Sequence, residues 1–254
     1  MTRRLLISND DGIASRGIAA LAAAVADLAE VWVVAPEREQ SATSHSLSLH
    51  HPLRIRTVQE RWHAVDGTPA DSVYLALNHL MKGARPDLVL SGINHGPNLA
   101  DDVIYSGTVA AAMEGSILGV PSIAFSLVTR RTFEFEHAAR FARSLVQRAL
   151  VEPLPPRMLL NVNLPSHGPI TGYQVTSLGR HSYGPEVIEK ADPRGRKYYW
   201  IGGTEYAHEP EAGTDVTAVH DEQLASITPL MLDLTDRAAL GTLRGWALEG
   251  YSQK

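Results

Sequence analysis

The chain has no cysteine among its 254 residues. That excludes a disulfide scaffold, thiolate zinc or iron–sulfur centres and a cysteine nucleophile, and it fits a reducing compartment. No apolar run approaches the roughly 20 residues that a membrane helix needs. Leu5-Leu6-Ile7, after Arg3-Arg4, starts like a secretory leader, but Ser8, Asp10 and Asp11 cut it short. No basic block occurs, and 23 Lys+Arg against 28 Asp+Glu gives a formal net charge of −5. No surface for a nucleic-acid polymer is therefore expected, whereas nucleotides as small substrates remain open. These absences lead us to expect a soluble cytoplasmic protein without membrane contact.

Several familiar catalytic signatures are also missing. The sequence has no G-x-x-x-x-G-K-[ST] or G-x-G-x-x-G, which disfavours a P-loop or a fingerprint dinucleotide site. It has no G-x-S-x-G elbow and no H-E-x-x-H. Asp10-Asp11 lacks the D-x-D spacing of haloacid-dehalogenase-type phosphatases. No internal repeat is visible.

What is present alternates. Leu5–Ser8 reads as a strand, 17–30 as a helix with apolar residues at Ile18, Leu21, Val25 and Leu28, and Val31–Ala35 as a second strand. Continuous apolar strands joined by a helix are the mark of a parallel sheet buried on both faces. Strands are expected at 53–58, 62–65, 87–90, 121–125 and 158–162. Thr68-Pro69-Ala70-Asp71 reads as a capped helix start, with the helix running to Lys82. Further helices are expected at 109–118, 133–150 and 236–248, with a Gly/Asn loop over 91–107. Beyond about residue 165 the alternation stops, and 170–230 reads as strands (173–176, 197–201, 226–227) and long loops. The fold class is α/β.

Four oxygen-bearing side chains share a location. Asp10 and Asp11 follow the first strand, Ser41 follows the second, and Asn94 follows the strand at 87–90. Singly, these are an Asp-Gly turn, a loop serine and a turn former between Gly92 and Gly96. Together they lie beyond the carboxyl ends of parallel strands, where open sheets bind ligands. Two adjacent carboxylates repel by roughly 3 kcal/mol at an effective dielectric near 20, and a divalent cation reverses that sign. Carboxylate, hydroxyl and amide oxygens are hard ligands suited to Mg²⁺ or Mn²⁺, with zinc less favoured despite His45 and His95 nearby. Tyr105-Ser106-Gly107-Thr108 precedes a helix, so its free N–H groups and hydroxyls form a candidate phosphate site to which Asn94, Asn98 and Ser91 add donors. The same residues also suit plain N-capping.

These motifs, in register, resemble a family. Ile7-Ser8-Asn9-Asp10-Asp11-Gly12-Ile13, Ala35-Pro36 with Gln40-Ser41-Ala42, and His45-Ser46 are similar to the SurE family of stationary-phase survival proteins, metal-dependent 5′-nucleotidases. The likeness continues through Gly67–Asp71, Ser91–Asn98, Tyr105–Val109, Asn161–Pro165, Asp192–Gly195 with Tyr199-Trp200, and Ser226–Leu230. The chain departs at Ser72, where the family usually carries Cys, and around Glu222–Ala225, where it usually carries Gly-Tyr. The resemblance implies one domain over 1–254: a Rossmann-like three-layer core (1–165) and a β-hairpin and C-terminal extension (166–254) used in homodimer or homotetramer assembly. It implies that Asp10, Asp11, Ser41 and Asn94 hold one divalent ion (Mg²⁺ or Mn²⁺, with Co²⁺ also accommodated). It implies hydrolysis of nucleoside 5′-monophosphates, extending to 3′-monophosphates and short polyphosphate. Asn9 is expected to orient the site, and Asp10 or Asp11 to accept the proton of the attacking water. The residues leave open a non-catalytic nucleotide sensor built on the same pocket, and a nucleotide-sugar transferase.

Overall fold

The structure is a computed structural model that describes residues 2–129, 134–166, 168–183, 187–202, 206–208, 210–248 and 251. Its first half runs β1 (Arg4–Ser8), α1 (Arg16–Val25), β2 (Glu30–Pro36), β3 (Ile55–Gln59), β4 (Trp62–Val65), α2 (Pro69–Leu75), β5 (Leu88–His95), α3 (Gly107–Ile117) and β6 (Ser122–Val128). The second half runs α4 (Glu136–Val151), β7 (Leu159–Pro165), β8 (Tyr173–Val175), β9 (His181–Tyr183), β10 (Val187–Ala191), β11 (Lys197–Ile201), β12 (Tyr206–His208), α5 (Asp215–His220), β13 (Ala225–Leu230) and α6 (Ala239–Arg244).

Nine strands form one sheet in the order β3-β4-β2-β1-β5-β6-β7-β13-β8. Strands β4, β2, β1, β5, β6 and β7 are parallel. β13 is antiparallel to β7 and parallel to β8, so the last quarter of the chain completes the same sheet. A separate antiparallel hairpin, β10–β11, and the β9–β12 pair stand apart from it. Leu5 and Ile7 pack with Ile18, Leu21, Ala142 and Val146 on one face, and Leu6 and Val34 with Val73, Leu77 and Ala111 on the other. The apolar runs read from the sequence are thus strands clad by helices on both sides. The chain winds from β1 toward β2 in one direction and from β5 toward β6 in the other, so a crevice opens between the carboxyl ends of β1 and β5.

The elements differ from the sequence reading in instructive places. The first helix ends at Val25 rather than residue 30, where Arg143 of α4 takes the Ala24 carbonyl at 2.7 Å and pairs with Asp27. Past Leu75 the second helix widens into a π turn over Ala76–Leu80. The strand at 87–90 does not stop there: after a register shift between Ser91 and Asn94, with a cis Gly92–Ile93 peptide, β5 pairs Asn94 with Ser126 and His95 with Leu127. The start of the helix expected at 133–150 falls, at Phe133, outside the described residues, and α4 begins at Glu136. The helix expected over 236–248 contracts to six residues, Ala239–Arg244, none of them buried, so that no packing fixes a longer one. α5 lies within the span read as strands and loops.

The capped start of α2 is as read. The Thr68 hydroxyl accepts from Asp71 N–H at 3.1 Å and the Asp71 carboxylate accepts from Thr68 N–H at 2.9 Å. The buried Ser72 donates to the Thr68 carbonyl, so a hydroxyl serves where a thiol is usual. Thr68→Ala is expected to cost about 1 kcal/mol, a fall in melting temperature of about 2–4 °C for a domain of this size; thermal unfolding checks this.

Candidate active site

A cleft of about 470 Å³ sits over the β1/β5 crevice. Asp10, Asp11, Glu39, Ser41, Asn94, His95, Asn98, Asp102, Tyr105 and Ser106 face it, together with Ala42, Gly96 and Pro97. Asp10, Asp11, Ser41, Asn94, Asn98 and Ser106 are therefore brought together as expected. Four of the lining side chains are carboxylates and none is Lys or Arg.

Asp10 docks on the N-terminus of α3. It is 5% exposed, and it accepts from the Thr108 hydroxyl and from the Thr108 backbone N–H. A helix N-terminus carries partial positive charge, which favours an anion there. Even so, burial raises the Asp10 pKa above the ordinary carboxylate value, against the pull of Thr108. Gly107 permits the approach: a Cβ there would lie 2.7 Å from the Asp10 Cβ. Ser106 caps α3 by accepting from Val109 N–H at 3.0 Å while still facing the cleft. Thr108 is wholly buried against Asp10, and neither it nor Gly107 borders the open space.

Asp11 is more accessible, with its side chain 11% exposed. Burial, and next the neighbouring Asp10 charge, push its pKa up to about 7, opposed by the His95 backbone N–H. His95 N–H donates to Asp11 Oδ2 at 3.3 Å, and its Nδ1 lies 3.4 Å from Oδ1. The His95 ring packs on Phe135, with ring centroids 5.1 Å apart. Asn9 lies beneath the turn: its amide donates to the Gly12 carbonyl at 3.0 Å and to the Ser15 hydroxyl at 2.8 Å. Ser15 caps α1, so Asn9 ties the Asp10–Gly12 turn to a helix start. The second loop is stitched on by Gln40 N–H to the Asp10 carbonyl at 2.7 Å.

Ser41 is exposed and donates to Glu39 Oε1 at 2.8 Å. The Asn94 amide donates to the Gly96 carbonyl, leaving its oxygen for other partners. His45 stays off the cleft, with Nε2 2.8 Å from the buried Glu114 carboxylate of α3. Glu39 and Asp102 are lining residues that the sequence reading passed over. In sequence Glu39 belongs to a charged run, Glu37-Arg38-Glu39, and only the fold sets it, still exposed, at the edge of the cleft.

The donor set fits a hard divalent cation. Two adjacent carboxylates are desolvated, the Asp10 charge opposes ionisation of Asp11, and the Glu39 charge opposes ionisation of both. A cation there supplies the charge that the lining lacks. No three His, Asp or Glu side chains cluster as ligands among the described residues, so neutral oxygens, from Ser41 and Asn94, would complete the shell beside Asp10 and Asp11.

A model of the family described as survival protein SurE matches residues 5–185. This chain belongs to the SurE family. A Myxococcus xanthus protein named 5′-nucleotidase SurE is 63% identical over 251 residues, covering 99% of this chain and 96% of that one. A Vibrio cholerae protein of the same name is 50% identical over 248 residues, covering 97% and 98%. The crystal structure of the SurE protein from Aquifex aeolicus superposes with a TM-score of 0.86 at 44% identity, covering 95% of this chain and 98% of that one. The likeness to these SurE proteins therefore runs over nearly the whole chain, past the residues that the family model matches.

Two outcomes follow for this SurE-family cleft. Gly107→Ala should displace Asp10 and weaken Mn²⁺ binding by about tenfold or more, given how steeply misplacement acts on such sites, and overpacking against the Asp10 Cβ should also cost about 1–3 kcal/mol of stability; calorimetric titration and thermal unfolding read the two effects. In metal-free protein, a folded pKa raised from 3.8 to about 7 means that the native state loses stability as pH rises through that window. Asp11→Asn removes this loss. In EDTA the variant should melt above the native protein at pH 8, with the gap closing toward pH 4; a variant melting lower at pH 8 would contradict the assignment.

Proposed function

We infer that this chain is a metal-dependent phosphatase that hydrolyses nucleoside 5′-monophosphates to nucleoside and phosphate. The observation that carries the reading is the cleft at the β1/β5 crevice, where Asp10 and Asp11 meet neutral oxygen donors and the capped start of α3. The relatives' name, 5′-nucleotidase, at 50–63% identity over nearly the whole chain supports the substrate class. Extension to 3′-monophosphates and short polyphosphate belongs to the same proposal, since a site that grips phosphate places little demand on the rest of the molecule.

Asp10, Asp11, Ser41 and Asn94 would hold one divalent ion, Mg²⁺ or Mn²⁺ first and Co²⁺ next. When bound it supplies Lewis-acid polarisation and a lowered water pKa. The chain's own groups do the rest. Asn9 keeps the Asp10–Gly12 turn in place through Gly12 and Ser15. Ser106 and the Asn98 amide, at the start of α3 and on its approach, donate to phosphate oxygens as charge shifts in the transition state. Asp11 takes the proton of the attacking water, a reading supported by its greater exposure and by the engagement of Asp10 with Thr108. His95 orients the Asp11 carboxylate.

The extension would serve assembly into a homodimer or homotetramer. Large apolar side chains stand exposed on β10–β11 (Tyr199, Trp200, Ile201) and near the C-terminus (Trp246, Leu248, Tyr251). No described helix is long and apolar enough to cross a membrane, and a cytoplasmic location is part of the proposal, in keeping with the missing cysteines.

The test is phosphate release from a panel of nucleoside monophosphates, p-nitrophenyl phosphate and short polyphosphate, in EDTA and with Mg²⁺ or Mn²⁺ restored. Metal-dependent release favouring nucleotides is expected, and Asp11→Asn should fall to the background rate while remaining folded. Binding of nucleotide without release under any metal would replace the phosphatase with a sensor.

A further inference from the structure

The approach to α3 is held from behind by groups that do not face the cleft. The Asn98 backbone N–H donates to the Asn163 side-chain oxygen at 2.9 Å, and its carbonyl accepts from the Asn161 and Asn163 amides at 2.8 and 2.9 Å. The Asn98 side chain donates to Ser126 at 2.7 Å. Two residues on, Ala100 N–H donates to Asp215 Oδ2 at 3.0 Å. Asp215 is fully buried at the start of α5, and its other oxygen accepts from Gly179 N–H at 2.7 Å and Val216 N–H at 2.9 Å. Leu99 and Ala100 pack on Val216 and Val219, so α5 is a floor beneath this segment. Ala100 sits at a φ of 50°, a left-handed conformation that a non-glycine residue keeps only when its surroundings hold it.

We propose that Asp215 is a positioning residue for the phosphate side of the cleft: its buried carboxylate pins Ala100 and thereby sets where Asn98 and Ser106 meet the substrate. A buried carboxylate shared by three backbone N–H groups is a strong, directional anchor. It reaches the 100–106 stretch, a 3₁₀ turn over Ala100–Ile104 that leads directly into Ser106. The carboxylates of the ion half of the site, Asp10 and Asp11, hang instead from β1; Asp10 also meets α3 at Thr108, past the tethered stretch, on a helix seated independently against the sheet. The inference rests on the phosphatase reading for its substrate, but phosphate binding tests it without turnover.

Asp215→Asn is a selective probe. With two of the described donors on Oδ1 and one on Oδ2, the amide carbonyl turns to Gly179 and Val216, and the NH₂ faces Ala100 N–H. The rim tether is lost while α5 keeps its contacts. Losing one charge-assisted hydrogen bond predicts about a tenfold effect. KM for nucleoside monophosphate should rise, and inorganic phosphate binding by calorimetry weaken, by about that factor. kcat should change by less, and affinity for Mn²⁺ alone should hold. Adding Ala100→Gly, which lets position 100 keep its backbone conformation without the anchor, should recover part of the loss. Unchanged KM and phosphate affinity in folded Asp215→Asn would overturn the proposal, as would equal loss of Mn²⁺ and phosphate binding, which is the mark of a general collapse. Should that variant fail to fold, Val219→Ala, which loosens the α5 floor beneath Leu99 and Ala100, must show the same phosphate-selective loss; normal phosphate binding there overturns the proposal too. Absence of phosphate release by the native protein would sink the phosphatase reading alone, since the phosphate titrations still decide the role of Asp215.

Discussion

The seating of Asp10 on the first turn of α3 is the contact on which the site depends. It joins the carboxyl end of one central strand to the helix that leaves the next. The helix terminus offsets part of the cost of burying a carboxylate, and the missing side chain at Gly107 makes room for it. Once Asp10 is fixed there, its neighbour in sequence has one direction left, outward into the crevice, where His95 and solvent receive it. Two like charges are thus held side by side in a lining without Lys or Arg. That electrostatic debt defines the chemistry, because an anionic phosphate enters such a cleft only in the company of a cation.

Much of this could be read from the chain, for identifiable reasons. Strands buried on both faces announce themselves as apolar runs, and the Thr68-Pro69-Ala70-Asp71 start is a local signal needing no tertiary context. The convergence of Asp10, Asp11, Ser41 and Asn94 followed from one rule about where parallel strands end. What escaped was whatever the tertiary structure imposes on ambiguous local sequence. Gly92-Ile93-Asn94 has the composition of a loop, yet β6 pairs with it and draws it into β5. Thr108 was read as a phosphate contact because hydroxyls at a helix start suit anions; the anion it meets is the protein's own Asp10. Glu39 and Asp102 look like ordinary surface charges until the fold brings them to the border of the cleft. Thr214-Asp215 after Gly213 is a legible helix start, but β-branched Val216, Thr217 and Val219 disguised the six-residue helix Asp215–His220.

The two halves of the cleft draw on different parts of the chain. β1 and β5 meet with exact register, Ser8 beside Ser91, and carry the carboxylates and Asn94. The opposite wall, Asn98 to Ser106, is braced by side chains of β6, β7 and α5, all later in sequence. Burial of the tethers matters as much as their number, since a hydrogen bond shielded from water resists exchange and holds a backbone to one geometry.

The tether between Ala100 and Asp215 spans 115 residues of sequence, and this has a bearing on synthesis. A nascent chain that has emerged through β7 possesses Asp10, Asp11, Ser41, Asn94 and the whole of α3. It lacks β13, which pairs along β7, and α5, which floors the rim. Until those residues leave the ribosome, β7 is an open sheet edge and the wall of the cleft, held at Asn98 by β6 and β7, lacks its tether at Ala100. Long-range closure of this kind comes late in folding. A chain truncated after β7 therefore carries the charged residues of the cleft without the floor under its opposite wall.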